Sequence, residues 1–170
     1  MKKLAQVQSK IVSLKEAEKL ISQWKKENQS VVFTNGCFDI LHKGHVTYLA
    51  KAADLGDKLI VALNTDASVK AQNKSPERPI NPEDARLLVL ASLEFVDLVI
   101  LFSDETPINE IMLLKPSILV KGADYDPNQL DENNKKYIIG SKEVKKDGGL
   151  VTVIDLVDGF STTSILNKGK

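Results

Sequence analysis

Thr34-Asn35-Gly36-Cys37-Phe38-Asp39-Ile40-Leu41-His42-Lys43-Gly44-His45 lies between two opposite patterns. Before it, residues 30–34 (Ser-Val-Val-Phe-Thr) are a short β-branched, apolar run of the kind that forms a buried strand. After it, Val46, Leu49, Ala50 and Ala53 recur at helical spacing as far as Gly56, which reads as a C′ stop. The stretch is therefore a strand-to-helix junction. Both histidines of the chain lie in it, three residues apart. A helix N-terminus presents unpaired backbone N–H groups and a partial positive charge, which suits an anion. Gly44 gives a ligand close access to the backbone, and Lys43 with the two imidazoles adds donors around a phosphate. It is not a Walker A loop, because no Gly-x-x-x-x-Gly-Lys-Ser/Thr is present, and it lacks the glycines of Gly-x-Gly-x-x-Gly.

Upstream, Ser13-Leu14-Lys15-Glu16 has capping-box spacing, and Leu14, Ala17, Leu20, Ile21 and Trp24 follow at helical spacing, predicting a helix over 13–27. Downstream, apolar runs predict strands over 58–63, 96–102, 117–120 and 149–156. Helices are predicted from Asn81-Pro82 with Glu83 and Asp84 in the first turn, over 107–114 up to Pro116, and over 161–167. Residues 64–81 carry no core element in this reading, and 126–147 form a charged, polar segment of helix and loop. Strands alternating with helices predict an α/β fold: a Rossmann-like, doubly wound parallel sheet of about five strands in a single domain over 1–170. Ligands of such sheets sit beyond the carboxyl ends of the strands, where the strand order reverses.

Composition bounds the function. The 170 residues are 42% hydrophobic and 27% charged, which is globular rather than disordered. Twenty-three basic residues balance 23 acidic ones, so bulk charge does not draw this chain to nucleic acid or to an anionic membrane. No apolar run approaches the ~20 residues of a membrane span. Met1-Lys2-Lys3 is not followed by the apolar core of a secretory signal. The lone Cys37 allows no internal disulfide, and this suits a reducing cytoplasm.

Gly-Cys-Phe-Asp-Ile-Leu-His-Lys-Gly-His resembles the Gly-x-Phe-Asp-x-x-His-x-Gly-His signature of the nucleotidylyltransferase (cytidylyltransferase-like) superfamily. Gly159-Phe-Ser-Thr-Thr-Ser164 is similar to the Ser/Thr-rich segment at the start of that family's last helix. Residues 64–70 (Asn-Thr-Asp-Ala-Ser-Val-Lys), 78–81 (Arg-Pro-Ile-Asn) and 120–125 (Val-Lys-Gly-Ala-Asp-Tyr) resemble its heptose 1-phosphate adenylyltransferase branch. The resemblance covers roughly residues 10–167. Two departures stand out: the 170 residues hold no kinase segment, and the heptose kinase is expected on a separate chain; and residues 126–136 form a longer, more polar loop.

The resemblance implies transfer of AMP from ATP to a sugar 1-phosphate, with Mg²⁺ carried mostly by phosphate oxygens and water. It implies catalytic roles for His42, Lys43 and His45. Nucleotide contacts would come from Thr34, Asn35, Gly36, Phe38, Gly44, Gly159, Ser161, Thr162 and Thr163, with Lys70, Lys74 and Arg86 neutralising phosphate. Asp39, Lys121, Gly122 and Asp124 would meet the sugar phosphate or the ribose. A second copy of the chain is a candidate partner through an apolar helix face.

Plainer readings stand beside these. Ser161 to Ser164 also form a good helix cap. Arg86 also suits an ion pair with Glu83, Asp84 or Asp97, and Asp66 suits a turn cap. The Trp24 helix packs on the sheet or on a second subunit. Cys37 reads as small packing. Cys37, His42 and His45 offer three zinc ligands, which leaves a zinc hydrolase as one rival. A nucleotide sensor without turnover is another, and a cytidylyltransferase for glycerol 3-phosphate or a similar small phosphate is the nearest.

Overall fold

The computed structural model describes residues 2–72 and 77–168. Five parallel strands form one sheet in the order β3-β2-β1-β4-β5: β1 Val31–Gly36, β2 Lys58–Asn64, β3 Leu98–Phe102, β4 Ile118–Gly122 and β5 Leu150–Ile154. The helices are α1 Lys3–Gln8, α2 Leu14–Lys26, α3 Lys43–Ala53, α4 Asp66–Ala71, α5 Glu83–Ala91, α6 Ile108–Leu114, α7 Ser141–Lys146 and α8 Thr162–Lys168. The expected doubly wound parallel sheet is what the chain builds.

The sheet is buried on both faces because its strands alternate between two apolar clusters. Val31, Phe33, Ile60, Ala62, Leu98, Ile100 and Phe102 face one side, together with Ala17, Ile21, Ile111 and Leu114 from α2 and α6. Val32, Leu59, Val61, Leu63 and Val99 face the other, with Leu49 and Ala52 of α3 and Leu87 and Leu90 of α5. A side-chain period of two between two apolar layers is why the strands read as continuous hydrophobic runs. Trp24 packs against the first cluster, so its helix is seated on this chain's own sheet. The Ser13–Glu16 capping box forms as its spacing predicts.

Several expectations change in detail. Residues 64–81 do contain an element: α4 is capped by Thr65, whose hydroxyl accepts from Ser68 N at 3.2 Å, and it buries Ser68 and Val69. Six residues are too few to show a helical period. The equally short α1 was missed for the same reason, and the bridge Ile11↔Val99 that follows it covers the β3 edge. Gly56 is not in a left-handed conformation. It is required by space, since a Cβ there would meet Val32 Cγ2 at 2.8 Å. Within 126–147 the only helix is α7; much of the rest is held by side-chain-to-backbone turns at Asp126, Asp131 and Asn134.

The topology places the site. The chain lays down β1, β2 and β3 outward in one direction, then returns to put β4 on the other flank of β1. β1 pairs with β2 along its whole length, from Val31↔Lys58 to Gly36↔Leu63, but with β4 only at Val32↔Ile118 and Phe33↔Leu119. Beyond Phe33 the two strands part, and this opens a crevice at their carboxyl ends, at the switch point.

Candidate active site

A cavity of about 720 Å³ fills that crevice. Every strand contributes its carboxyl end or the residues just after it: Asn35 and Gly36 from β1, Asn64 from β2, Glu105 beyond β3, Lys121 and Gly122 from β4, and Leu156 beyond β5. Lys121 Nζ donates to Asn35 Oδ1 at 2.6 Å, which ties the two diverging strands across the switch point. Deeper down, the Tyr48 hydroxyl donates to the Val120 carbonyl at 3.1 Å and pairs with Thr34 Oγ1 at 2.7 Å. The hydroxyl thus takes over where the β1–β4 ladder has stopped.

The two histidines stand at the start of α3. His42 is its N-cap, extended at φ −139°, and its Nδ1 accepts from His45 N at 3.4 Å. Accepting at Nδ1 leaves the proton of a neutral ring on Nε2. The rings stack with centroids 3.8 Å apart, and Phe38 meets His45 edge-on at 5.2 Å. His42 Nε2 and His45 Nδ1 are buried and have no partner among the described residues. Burial pulls His45 down to about 4, with the neighbouring His42 ring and Arg78 adding to the fall and a hydrogen bond to the Ile40 backbone opposing it. Burial lowers His42 as well. The unpartnered His42 Nε2–H, at the N-terminus of an eleven-residue helix, is a donor suited to an anion.

The same shift makes a stability prediction. An unfolded histidine takes up its proton near pH 6.5, while folded His45 resists until about pH 4. Between these values the unfolded state binds more protons, so stability rises with pH and falls on acidification through this window. Urea midpoints at pH 7 and pH 5 should therefore differ in the wild type by more than in His45→Gln. Equal differences would mean that His45 titrates normally. Glu110, raised by burial, works in the opposite direction and is present in both proteins.

The Gly36–Asp39 segment is held from behind. Phe38 takes a positive φ of 43°, an uncommon conformation for a bulky residue, and a Cβ at Gly36 would meet its ring at 3.0 Å. Arg86 is fully buried and each of its three nitrogens has a partner: Nη1 donates to the Cys37 carbonyl at 2.8 Å, Nε to the Asn81 carbonyl at 3.0 Å, and Nη2 pairs with Asp66 Oδ1 at 2.6 Å. Asp39 is equally enclosed. Its carboxylate accepts from Arg78 Nε at 3.0 Å, Ile80 N at 2.8 Å and Asn81 N at 3.0 Å.

Of the residues expected from sequence, Asn35, Gly36, Phe38, His42, Gly44, His45, Lys121, Gly122, Asp124, Ser161 and Thr162 line one cavity. Others stand elsewhere. Asp39 and Arg86 brace the loop rather than face the cavity, and the partner of Arg86 is Asp66, not Glu83, Asp84 or Asp97. The Thr34 hydroxyl is turned to Tyr48. Lys43 lies over the Phe160 ring at 5.4 Å, and Lys70 is exposed on α4 outside the lining. Gly159 is needed for its φ of 77° and does not line the cavity. Lys74 and the side chain of Thr163 lie outside the described residues. At Gly44 the close neighbour is the protein itself, since a Cβ would meet the His42 ring at 3.0 Å and Phe160 at 3.2 Å. Ser161 Oγ accepts from Ser164 N at 3.0 Å, so the cap reading holds at the α8 start, which also faces the cavity.

Lining residues not singled out beforehand include Tyr48, Asn64, Gln72, Glu105, Tyr125 and Phe160. The switch-point rule, applied after every predicted strand rather than after the first, points to several of them. Cys37, read as packing, lines the cavity too. Among the described residues no three His, Cys, Asp or Glu side chains converge as metal ligands, so Cys37, His42 and His45 are not arranged as a zinc set. No helix among them is long and apolar enough to cross a membrane.

Residues 33–168 match the family described as cytidylyltransferase-like. The chain is 47% identical over 156 residues to the bifunctional protein HldE of Gluconobacter oxydans (strain 621H), covering 92% of this chain and 31% of that protein. It is 49% identical over 166 residues to the bifunctional protein HldE of Campylobacter concisus (strain 13826), covering 98% of this chain and 32% of that protein. The chain thus spans about a third of the length of these curated relatives. Among solved structures, the lipopolysaccharide core biosynthesis protein from Thermoplasma volcanium GSS1 superposes with a TM-score of 0.57 at 29% identity, covering 76% of this chain and 97% of that chain. A pantoate-beta-alanine ligase from Francisella tularensis, complexed with beta-gamma ATP and beta-alanine, superposes with a TM-score of 0.58 over 93% of this chain and 76% of its own. At 17% identity, this likeness speaks for the fold alone.

Proposed function

The chain belongs to the cytidylyltransferase-like family, and on that premise we propose that it transfers AMP from ATP to D-glycero-β-D-manno-heptose 1-phosphate, giving ADP-heptose and pyrophosphate. The observation that carries the reading is the pair of buried, unpartnered imidazole nitrogens stacked at the α3 N-terminus inside the switch-point cavity. The heptose assignment rests on the likeness of residues 78–81 and 120–125 to that branch. The identity to the HldE proteins supports it, as does the name of the lipopolysaccharide core biosynthesis relative.

In this reading an oxygen of the sugar phosphate attacks the α-phosphorus of ATP in line. The P–O bond to the β-phosphate breaks, and its electron pair leaves with pyrophosphate. No proton need move. The protein aligns attacker and leaving group and stabilises charge on the phosphoryl oxygens. His42 Nε2–H and the α3 backbone amides donate to those oxygens, and His45 meets the developing charge. Lys43 and Lys121 add positive potential, and Ser161 and Thr162 approach from the opposite wall. Phosphate oxygens beside His45 would favour its protonated form, the reverse of what burial does in the empty cavity. The carboxylates of Glu105 and Asp124 lie in the cavity without a third ligand. This fits Mg²⁺ that arrives on the triphosphate with few protein ligands and supplies charge neutralisation there.

The sugar 1-phosphate substrate must come from a reaction that phosphorylates the anomeric oxygen. The experiment is pyrophosphate release with ATP or CTP against a panel of sugar and polyol phosphates. Release with ATP and the heptose 1-phosphate is expected. Release only with CTP, or only with glycerol 3-phosphate, would replace this reading by the cytidylyltransferase one.

A further inference from the structure

β4 is shared unequally between its neighbours. It pairs with β5 as far as Gly122↔Ile154 but leaves β1 after Phe33↔Leu119. The carboxyl end of the sheet therefore divides into two arms. One is β1 with the start of α3, which brings Asn35, His42 and His45 to the cavity. The other is β4 with β5, which brings Lys121, Asp124 and Leu156. A transfer that uses groups from both arms at once depends on their spacing, because the spacing sets the alignment of attacker and leaving group.

Beyond the end of the β1–β4 ladder, the tie from Lys121 Nζ to Asn35 Oδ1 lies in the cavity wall, where a phosphate competes with Asn35 for the ammonium. The tie through the Tyr48 hydroxyl is enclosed instead: Tyr48 is 8% exposed and Thr34 is fully buried. A phenol has one proton, and here it goes to the Val120 carbonyl at 3.1 Å. The 2.7 Å contact with Thr34 Oγ1 is then donated by Thr34. Burial raises the phenol above its ordinary value, so its proton stays in place at neutral pH. A single oxygen thus joins β1, α3 and β4. Its three attachment points lie one residue before Asn35, one helical turn after His45 and one residue before Lys121.

We propose that Tyr48 is a positioning residue for the transfer: its hydroxyl fixes the spacing of the two arms, and keeps it fixed when substrate phosphate draws Lys121 away from Asn35. Tyr48 acts through Asn35, His45 and Lys121 rather than on a reacting atom. The inference rests on the transferase reading and adds to it the part of the fold that holds the two halves of the site in register.

Tyr48→Phe keeps the ring and removes the tie. Well below its melting transition it should lower kcat roughly 10–100-fold, the order of loss for reactants misplaced by up to about 1 Å. KM for ATP and for the acceptor should each stay within about threefold, since alignment is lost rather than binding. Hydrogen exchange reads the arms without turnover. In Tyr48→Phe the amides of residues 118–125 should quicken roughly fivefold more than those of residues 58–64, the equivalent of one neutral hydrogen bond. Thr34→Val keeps the Tyr48–Val120 bond and should cost kcat only about 2–5-fold. Added to Tyr48→Phe it should cost nothing further, because Thr34 has already lost its acceptor. A Tyr48→Phe enzyme with kcat within about twofold of the wild type would confine Tyr48 to stability and overturn the proposal. Equal quickening of both segments would overturn it too, as would a Thr34→Val loss that multiplies in full with that of Tyr48→Phe. Where Tyr48→Phe fails to fold, Thr34→Val decides alone, and a wild-type kcat there overturns the proposal. Pyrophosphate release by the wild type tests the transferase reading, and hydrogen exchange tests the spacing, so the two fail separately.

Discussion

Replacing His45 with alanine is expected to lower kcat by roughly 10²–10³-fold, with a smaller change in KM for ATP. The magnitude is that of deleting one preorganised donor at a site of developing charge, about 3–4 kcal/mol. His45 is suited to such a role because its ring is held before substrate arrives, between the stacked His42 at 3.8 Å and the edge of Phe38 at 5.2 Å. The substitution should leave the helix start in place, since the donor to the His42 cap is the backbone N–H of residue 45, whatever its side chain. Single-turnover measurements with saturating ATP and acceptor would separate chemistry from binding. His45→Asn, which keeps an N–H donor, should recover part of the loss. Turnover and KM both unchanged in His45→Ala would remove His45 from the reaction, and a raised KM for ATP with kcat unchanged would make it a binding residue only.

The sheet was legible because its strands are short apolar runs separated by helical patterns, and the period-two alternation of Val31, Val32 and Phe33 between the two clusters is their structural counterpart. The junction at residues 34–45 was legible for a different reason: it concentrates both histidines where a helix begins. What sequence reading confused was the role of the charged residues around it. Asp39 and Arg86 have the residue types of ligand-binding groups, yet the fold encloses both. Their partners lie far along the chain, Arg78 for Asp39 and Asp66 for Arg86, in a segment that showed no core element. No local spacing distinguishes a charge that faces a phosphate from one that braces the loop behind it; only the tertiary partner does. The lining residues Asn64, Gln72 and Glu105 were missed on similar grounds: Asn64 ends β2, Gln72 follows α4 and Glu105 follows β3, and they become one surface only when β2 and β3 lie side by side.

Arg86→Met is expected to destabilise the protein by about 3–5 kcal/mol, as does breaking a buried charge network by removing one partner. Methionine fills much of the same volume, so the loss is chiefly polar. The Arg86 side chain is fully enclosed, and its removal leaves the Cys37 and Asn81 carbonyls without the donors that satisfy them. Each orphaned carbonyl costs about 1–3 kcal/mol unless water reaches it. Asp66 loses less, because 31% of its side chain is already exposed and water can replace its partner. Asp66→Asn should therefore be milder than Arg86→Met, because the asparagine oxygen still accepts from Arg86 Nη2 and the guanidinium keeps both carbonyls. Denaturant midpoints would read this order, as would melting temperatures, at about 2–4 °C per kcal/mol for a chain of this size. The consequence for activity follows the same bonds. Arg86 fixes the Cys37 carbonyl, one residue before the strained Phe38 that packs on His45, so the surviving fold should keep its sheet and lose the register of the histidine loop. Arg86→Met should then lower kcat even well below its melting temperature. A variant that melts early yet turns over normally at low temperature would confine Arg86 to stability, and one within 1 kcal/mol of the wild type, a fraction of the loss expected for breaking a buried network, would show that the two carbonyls find other donors.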